Sequence, residues 1–159
     1  MAVAQVREQD VEALLASGAL SVTGAYTWQH SSHKSWIRAM LPVTVQRQKP
    51  PTLRIVATVP LQRLTRFNFV LLWNNVRVRG LCIEGSHTNR HTNDERWIHQ
   101  THKHRWSDVC QDRFAYTPTD ITAVDAQGLL AQFCAECGID CTATLAEVPE
   151  VQRGLYDDL

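Results

Sequence analysis

Histidines are concentrated in one part of this chain. Five of the seven lie in the polar stretch from Ser86 to Arg105, and two of these, His102 and His104, stand two residues apart. On a β-strand, residues with that spacing project from the same face. Imidazole titrates near neutral pH and is also the commonest metal ligand. The spacing therefore predicts one site, which either holds a metal ion or moves protons.

The metal-binding interpretation treats the histidines as ligands. Two histidines on a strand, with another from the preceding loop, can supply imidazoles to Zn²⁺ or a similar ion. A carboxylate also follows His104 by four residues. The ligands are then expected among His87, His91, His102, His104 and Asp108. Zinc is the ion we expect if the protein holds any cofactor.

The same histidines could also work without a metal. Two histidines of near-neutral pKa can act as general base and general acid in RNA transesterification, and here those groups would be His102 and His104. Tyr116 is a further candidate acid. Cations can stabilise the charged transition state. The side chains expected to hold the substrate include His87, Arg90, Lys103 and Arg105.

A structural role is the third alternative, since histidines beside Thr, Asn and Trp can simply hydrogen-bond and pack on a sheet. The five cysteines are expected to be reduced thiols, because their number is odd and the first ten residues lack the apolar segment of a secretory signal. Cys134 and Cys137 have the spacing of a redox or zinc motif. Both fall on the apolar face of a predicted helix, which favours packing.

Periodicity predicts the elements that must position these residues. Apolar stripes indicate helices at residues 10–17 and 124–137. Apolar runs indicate strands at residues 36–45, 53–59, 66–73, 76–84 and 97–106, with a short last strand at 139–145. Asn74 and Asn75 indicate a hairpin turn. In the strand that follows, the apolar residues change phase after Gly80, which predicts a bulge there.

These elements predict an α+β fold, in which an antiparallel sheet of about four to five strands has an N-terminal and a C-terminal helix packed on it. A chain of 159 residues fits a single domain, residues 1–159, with an acidic tail at residues 147–159. No apolar run is long enough to cross a bilayer. Together with the reduced cysteines, this predicts a cytoplasmic protein with no membrane partner.

The net charge is zero, but the charges are unevenly distributed. Residues 54–113 carry ten basic and five acidic side chains, whereas residues 114–159 carry one basic and eight acidic. A neutral protein is a poor general binder of nucleic acid. Contact with RNA or another phosphodiester is therefore expected to be local to the basic, histidine-rich part of the chain.

The order of these segments resembles a family of short uncharacterised bacterial proteins. The likeness rests on His-Thr-Asn-Arg-His-Thr-Asn at residues 87–93, His-Lys-His at 102–104 and Asp-Arg-Phe-Ala-Tyr-Thr-Pro-Thr-Asp at 112–120. The family has a His-x-Asn element, a His-x-His strand and a C-terminal amphipathic helix, with an apolar residue where this chain has Lys103. The resemblance implies site residues at His91, Asn93, His102, His104 and Tyr116. In that picture His91 and Asn93 hold the substrate or a partner histidine, and no particular reaction is implied.

Two functions fit these observations. One is a metal-independent ribonuclease or phosphodiesterase of toxin or defence type, with its histidines in a cleft beside Arg90 or Arg105. The other is a non-catalytic metal-binding or protein-interaction domain of a bacterial defence or toxin–antitoxin system, with a protein as its partner. In the second case, loss of His104 should cost as much stability as loss of a core residue.

Overall fold

The structure is a computed structural model that describes residues 5–33, 35–85, 87–88, 96–97 and 100–149. Within these residues the chain forms two short helices and thirteen strands. In chain order they are α1 Glu8–Leu15, β1 Leu20–Val22, β2 Ala25–Tyr26, β3 Gln29–His30, β4 Trp36–Val45, β5 Leu53–Pro60, β6 Asn68–Trp73, β7 Val76–Cys82, β8 His87–Thr88, β9 Arg96–Trp97, β10 His102–Ser107, β11 Gln111–Tyr116, α2 Ala126–Glu136, β12 Ile139–Cys141 and β13 Thr144–Leu145. Neither of these helices has the length and apolar composition that crossing a membrane requires.

One curled sheet organises the described part of the chain and contains nine of its strands. The order is β11–β10–β7–β6–β5–β4–β1–β12, and β3 pairs with β4 beside this path. Neighbouring strands are antiparallel except for β1 and β12, which are parallel. Two further pairs, β2 with β13 and β8 with β9, lie outside this sheet.

The two faces of the sheet have different surroundings. The inner face carries core residues that are fully buried, among them Leu41, Ile55, Phe69 and Leu81. The outer face carries the residues that alternate with them, such as Met40 and Val56, because successive side chains of a strand point to opposite sides. Helix α2 covers the inner face, where the ring centroid of Phe133 lies 5.9 Å from that of Phe69. In helix α1 the side chains of Val11, Leu14 and Leu15 pack in the same core.

The predicted α+β fold with an antiparallel sheet of four to five strands is wrong, because the protein is mostly sheet and the main sheet is mixed. Most of the missed strands are two or three residues long, too short to show periodicity, but β11, Gln111–Tyr116, has six residues and was also missed. The clearest case is β1, which lies in a segment rich in Ser, Thr and Gly that resembles a loop. Its parallel partner is β12, with Leu20 opposite Ile139, and so distant a pairing leaves no local signal.

The longer elements are found close to their predicted positions. Both helices are present, one turn or less from the predicted bounds. The strands predicted at residues 53–59 and 66–73 correspond to β5 and β6. The predicted hairpin turn is confirmed, since Asn74 and Asn75 have φ of 45° and 69° and link β6 to β7. Positive φ at both central residues is the geometry that matches the twist of a two-residue hairpin.

The bulge predicted at Gly80 is wrong, and its true position determines which side chains of β7 point outwards. The register with β6 shifts between Leu71 and Leu72, so that Leu71 faces Arg79 and Leu72 faces Arg77, with Val78 as the extra residue. Arg79 therefore points to the inner face, where it is 6% exposed and forms an ion pair with Glu12 of α1. After this bulge the side chain of Leu81 points into the core and that of Cys82 points to the outer face.

Candidate metal centre

Three potential metal ligands meet on the outer face where β7 lies beside β10. In the antiparallel register His102 faces Cys82 and His104 faces Gly80. Because alternate residues of a strand share a face, Cys82 and both histidines project to the same side. Their ligand atoms, the sulfur and one nitrogen from each imidazole, all lie within 4.8 Å of one another. The two imidazole rings meet edge to face with centroids 4.9 Å apart.

His102 is buried and hydrogen-bonded through one of its ring nitrogens. Its side chain is 1% exposed, and its Nδ1 lies 3.0 Å from the carbonyl oxygen of Gln100. A carbonyl oxygen can accept a hydrogen bond but not donate one, so Nδ1 carries the proton and Nε2 of the neutral ring carries the lone pair. A ligating histidine commonly donates its other N–H to a backbone carbonyl in this way. His104 is 3% exposed and lies beside it.

Two glycines allow the backbone to approach these side chains. A Cβ at Gly85 would lie 3.1 Å from the Cβ of Cys82 and 3.2 Å from Cε1 of His102, closer than ordinary side-chain contacts. The carbonyl of Gly85 accepts a hydrogen bond from the amide of Gln100 at 3.1 Å. A Cβ at Gly80 would lie 3.4 Å from the Cβ of His104. A side chain at residue 85 would therefore press on Cys82 and His102, two of the three candidate ligands.

The thiol of Cys82 is partly buried and hydrogen-bonded. Burial raises its pKa, while the positive charges of Arg77 and Arg66 act in the opposite direction. Its Sγ lies 3.1 Å from Oδ1 of Asn68, to which the protonated thiol donates. A metal ion bound at this position would replace the thiol proton, since metals coordinate the thiolate.

A cavity of about 310 Å³ opens beside the cluster, and its lining includes Cys82, His102 and His104. Two arginines, Arg66 and Arg77, contribute to the same lining. Arg77 is held in place, because its Nη2 donates to the carbonyl of Asp112 at 3.0 Å and its Nε lies 3.3 Å from a carboxylate oxygen of the same residue. The cavity is therefore a cationic space bounded by donor atoms that suit a metal.

Other residues predicted at the site lie on the opposite face of the sheet. Lys103 points inwards between the two histidines, where its Nζ lies 2.7 and 2.9 Å from the oxygens of Asp120 and 2.6 Å from Oε2 of Glu136. Tyr116 donates a hydrogen bond to Oε1 of Glu136 at 2.5 Å. Burial and this hydrogen bond raise the pKa of Tyr116. The sheet separates Lys103 and Tyr116 from His102 and His104, so these four residues do not form one site.

Arg105 and Asp108 also lie away from the cluster. The guanidinium carbon of Arg105 is 5.0 Å from the ring centroid of Phe114 and 5.6 Å from that of Tyr116. Asp108 lies in the turn after β10, and its Oδ1 accepts a hydrogen bond from the amide of Glu8 at 2.9 Å. The metal interpretation took its third ligand from a loop histidine and added Asp108, whereas in the described residues the ligand beside His102 and His104 is Cys82.

The histidine-rich loop falls mostly outside the described residues. Arg90, His91 and Asn93 lie there. For His87 the backbone is described, as part of β8 opposite Trp97 in β9, and its side chain lies outside the description. Their predicted roles stay predictions.

Sequence reasoning missed Cys82, although a signal for it exists. Strands at 76–84 and 97–106 were expected to be neighbours, and Cys82 faces His102 in the observed register. The misplaced bulge did not hide this, since a bulge at Gly80 also leaves Leu81 on the core side and Cys82 on the outer face. Cys134 and Cys137, which have the more familiar motif, are 1% and 0% exposed in the core. Burial raises the pKa of both thiols, in keeping with a packing role.

The donor set of one thiolate sulfur and two imidazole nitrogens suits Zn²⁺ and other borderline-soft transition metals. The Cys82, His102 and His104 group could therefore hold a metal ion. Comparison with family models, with curated proteins and with solved structures found no match to this chain.

Proposed function

We propose that this protein binds a transition-metal ion, with zinc as the expected ion, through Cys82, His102 and His104. The observation that carries the proposal is the convergence of three donor atoms within 4.8 Å of one another on two hydrogen-bonded strands. The ligand atoms of a tetrahedral zinc ion lie about 3.5 Å apart, given metal–ligand bonds of about 2.0–2.3 Å.

The described residues offer three candidate ligands, and that number favours a reactive centre. Structural zinc sites usually have four protein ligands, whereas catalytic sites have three and keep one position for water or substrate. The cavity beside the cluster provides space for a water or a substrate at that fourth position. A metal ion in such a site polarises a bound oxygen as a Lewis acid and acidifies a bound water. We therefore propose hydrolysis at this centre, with a phosphodiester as the expected substrate.

Metal-free catalysis by His102 and His104 is the second candidate function. It is favoured by the edge-to-face contact of the two imidazoles, whose centroids are 4.9 Å apart, and by the arginines in the cavity they share. Burial of both rings to 3% exposure or less weighs against it, because a general acid or base must reach the substrate. A centre that reaches substrate through a metal-bound water is less affected by that burial.

Metal content separates the two candidates. The protein is expressed in zinc-supplemented medium, purified without chelator, and its zinc is measured by inductively coupled plasma mass spectrometry. The native chain is expected to hold about one zinc ion, and Cys82→Ser and His104→Gln are expected to hold much less, because each removes one of three ligands. Cys110→Ser is the matched control, since Cys110 is also a buried thiol but lies outside the cluster. Circular dichroism checks that each variant is folded.

Two results would overturn the metal proposal. One is a native protein without metal, and the other is folded Cys82→Ser that keeps a full equivalent of zinc. A further variant, His91→Gln, tests the predicted loop ligand. If it also loses zinc, the centre has a fourth protein ligand, and the closed, non-catalytic interpretation replaces the hydrolytic one.

A further inference from the structure

The cavity beside the candidate metal centre has an excess of positive charge. Arg66 and Arg77 line it together with the three candidate ligands, and none of the described residues in its lining is acidic. A metal ion at the centre would add further positive charge. Such a space favours an anion, because a cation in a partly enclosed site is stabilised by a counter-charge.

The two arginines differ in how much of their binding capacity is already used. Arg77 is engaged by the backbone and side chain of Asp112. The guanidinium of Arg66 is half-buried, and within the described part of the chain it makes no hydrogen bond or ion pair. Its N–H groups are therefore available to a ligand in the cavity.

The backbone at Arg66 is held in place by its neighbours. Its amide donates to the carbonyl of Arg63 at 3.0 Å in the turn that leads into β6. The next residue, Phe67, is 5% exposed and is anchored in the core by ring contacts with Trp28 and Phe69. A cation presented from an anchored backbone loses less entropy when it binds a ligand, so Arg66 is suited to recognition.

We propose that the cavity binds a phosphate group, with one oxygen directed to the metal and two others to the guanidinium of Arg66. This inference rests on the proposed metal centre. A carboxylate has two oxygens, so after one meets the metal a single oxygen remains for the arginine. A free or monoester phosphate retains two charged oxygens for a bidentate contact with the planar guanidinium, and a diester retains one charged oxygen together with an ester oxygen. The volume of about 310 Å³ holds the phosphate with a small ester group.

The test uses the full chain loaded with Co²⁺, whose visible absorption changes when a ligand joins the metal. The probes are inorganic phosphate and dimethyl phosphate, which stand for a free or monoester phosphate and for a diester. Saturable spectral change with either probe is expected in the native protein. In Arg66→Gln the dissociation constant for that probe should rise about tenfold or more, since a charge-assisted hydrogen-bond pair is lost. Arg38→Gln is the matched control, because Arg38 lies on the same outer face and does not line the cavity.

Each outcome bears on a separate statement. If the protein does not bind Co²⁺ or Zn²⁺, the metal centre fails and the phosphate site fails with it. If Co²⁺ binds but neither phosphate nor dimethyl phosphate changes the spectrum, the metal centre stands and the phosphate site is refuted. Equal affinity in Arg66→Gln and Arg38→Gln also refutes it, because the anion then binds without the arginine. A response to dimethyl phosphate identifies a diester as the substrate class, and a response to phosphate alone identifies a monoester.

Discussion

Lys103 lies between the two candidate ligands in sequence, yet we expect its replacement to change stability and not metal binding. Its side chain is 3% exposed on the inner face and is held by Asp120 and Glu136. Burial acts to lower the pKa of Lys103, but the hydrogen bonds to these carboxylates outweigh it and raise the pKa. The lysine is therefore charged in the folded protein, and Lys103→Met leaves two carboxylates without their cation.

The size of the effect follows from the exposure of those carboxylates. Removing one partner of a fully buried ion pair costs about 3–5 kcal/mol. Asp120 is 52% exposed and can be solvated, whereas Glu136 is 16% exposed and keeps its hydrogen bond from Tyr116. We therefore expect Lys103→Met to lower the free energy of unfolding by about 2–3 kcal/mol, below the fully buried case. Adding Glu136→Gln should restore part of this loss, because the uncompensated charge is removed.

Urea unfolding followed by circular dichroism measures this, with zinc content determined on the same samples. Two results would refute the reasoning. An unfolding free energy within about 0.5 kcal/mol of the native value would mean that the buried pair does not stabilise the fold. Loss of zinc from folded Lys103→Met would mean that the inner face and the metal centre are not independent.

Three further predictions concern groups around the core and the centre. The hydrogen bond to the buried Lys103 lowers the pKa of Asp120. The stabilising effect of Asp120 is therefore present above its unfolded pKa of about 4 and is lost as pH falls through the lowered folded value. The difference in unfolding free energy between native protein and Asp120→Asn, measured in urea from pH 7 to pH 2.5, should be constant above about pH 5 and shrink toward zero in acid. Gly85→Ala should weaken zinc binding about tenfold in a chelator competition, since the added methyl presses on two candidate ligands. Gly18→Ala is the control: a Cβ there meets nothing within 4 Å, and because the φ of Gly18 is +71° the change should lower stability alone. Equal zinc affinity in the two variants would contradict this prediction. Glu12→Gln should lower the free energy of unfolding by about 1–2 kcal/mol, because Arg79 is left buried without its counter-charge. Thermal unfolding measures this, and an unchanged thermal midpoint would be evidence against a stabilising role for that ion pair.

Local patterns predicted the parts of the fold that local physics determines. In β5 every second residue is buried, so the sequence itself shows the strand. The hairpin at Asn74 and Asn75 was predictable because those residues tolerate positive φ. The pairing of β1 with β12 was not, since it depends on contacts between residues 20 and 139 that leave no trace in either segment.

The candidate site was predictable in part, for a related reason. The spacing of His102 and His104 was sufficient to place them on one face, and the structure brings them together with Cys82. Alternation after Gly80 placed Leu81 on the core side, which leaves Cys82 on the outer face. The position of the bulge was not predictable, because alternation assumes that charged residues face solvent, whereas Arg79 faces the core. Glu12 of α1 compensates the charge of Arg79 through a tertiary contact that the sequence of β7 does not show.

The parallel pairing of β1 with β12 has a consequence for the order of folding. Strands β4 to β7 are joined by short connections and can form their antiparallel ladders soon after each leaves the ribosome. β1 gains one neighbour from β4, but its second edge stays open until Ile139–Cys141 is available. Closing a loop of that length is entropically costly, and a long delay leaves strand edges exposed to other chains. The slowest and most aggregation-prone step of folding should therefore be the pairing of β12 with β1. Hydrogen-exchange labelling of nascent or refolding chains would detect it as late protection of Ile139–Cys141.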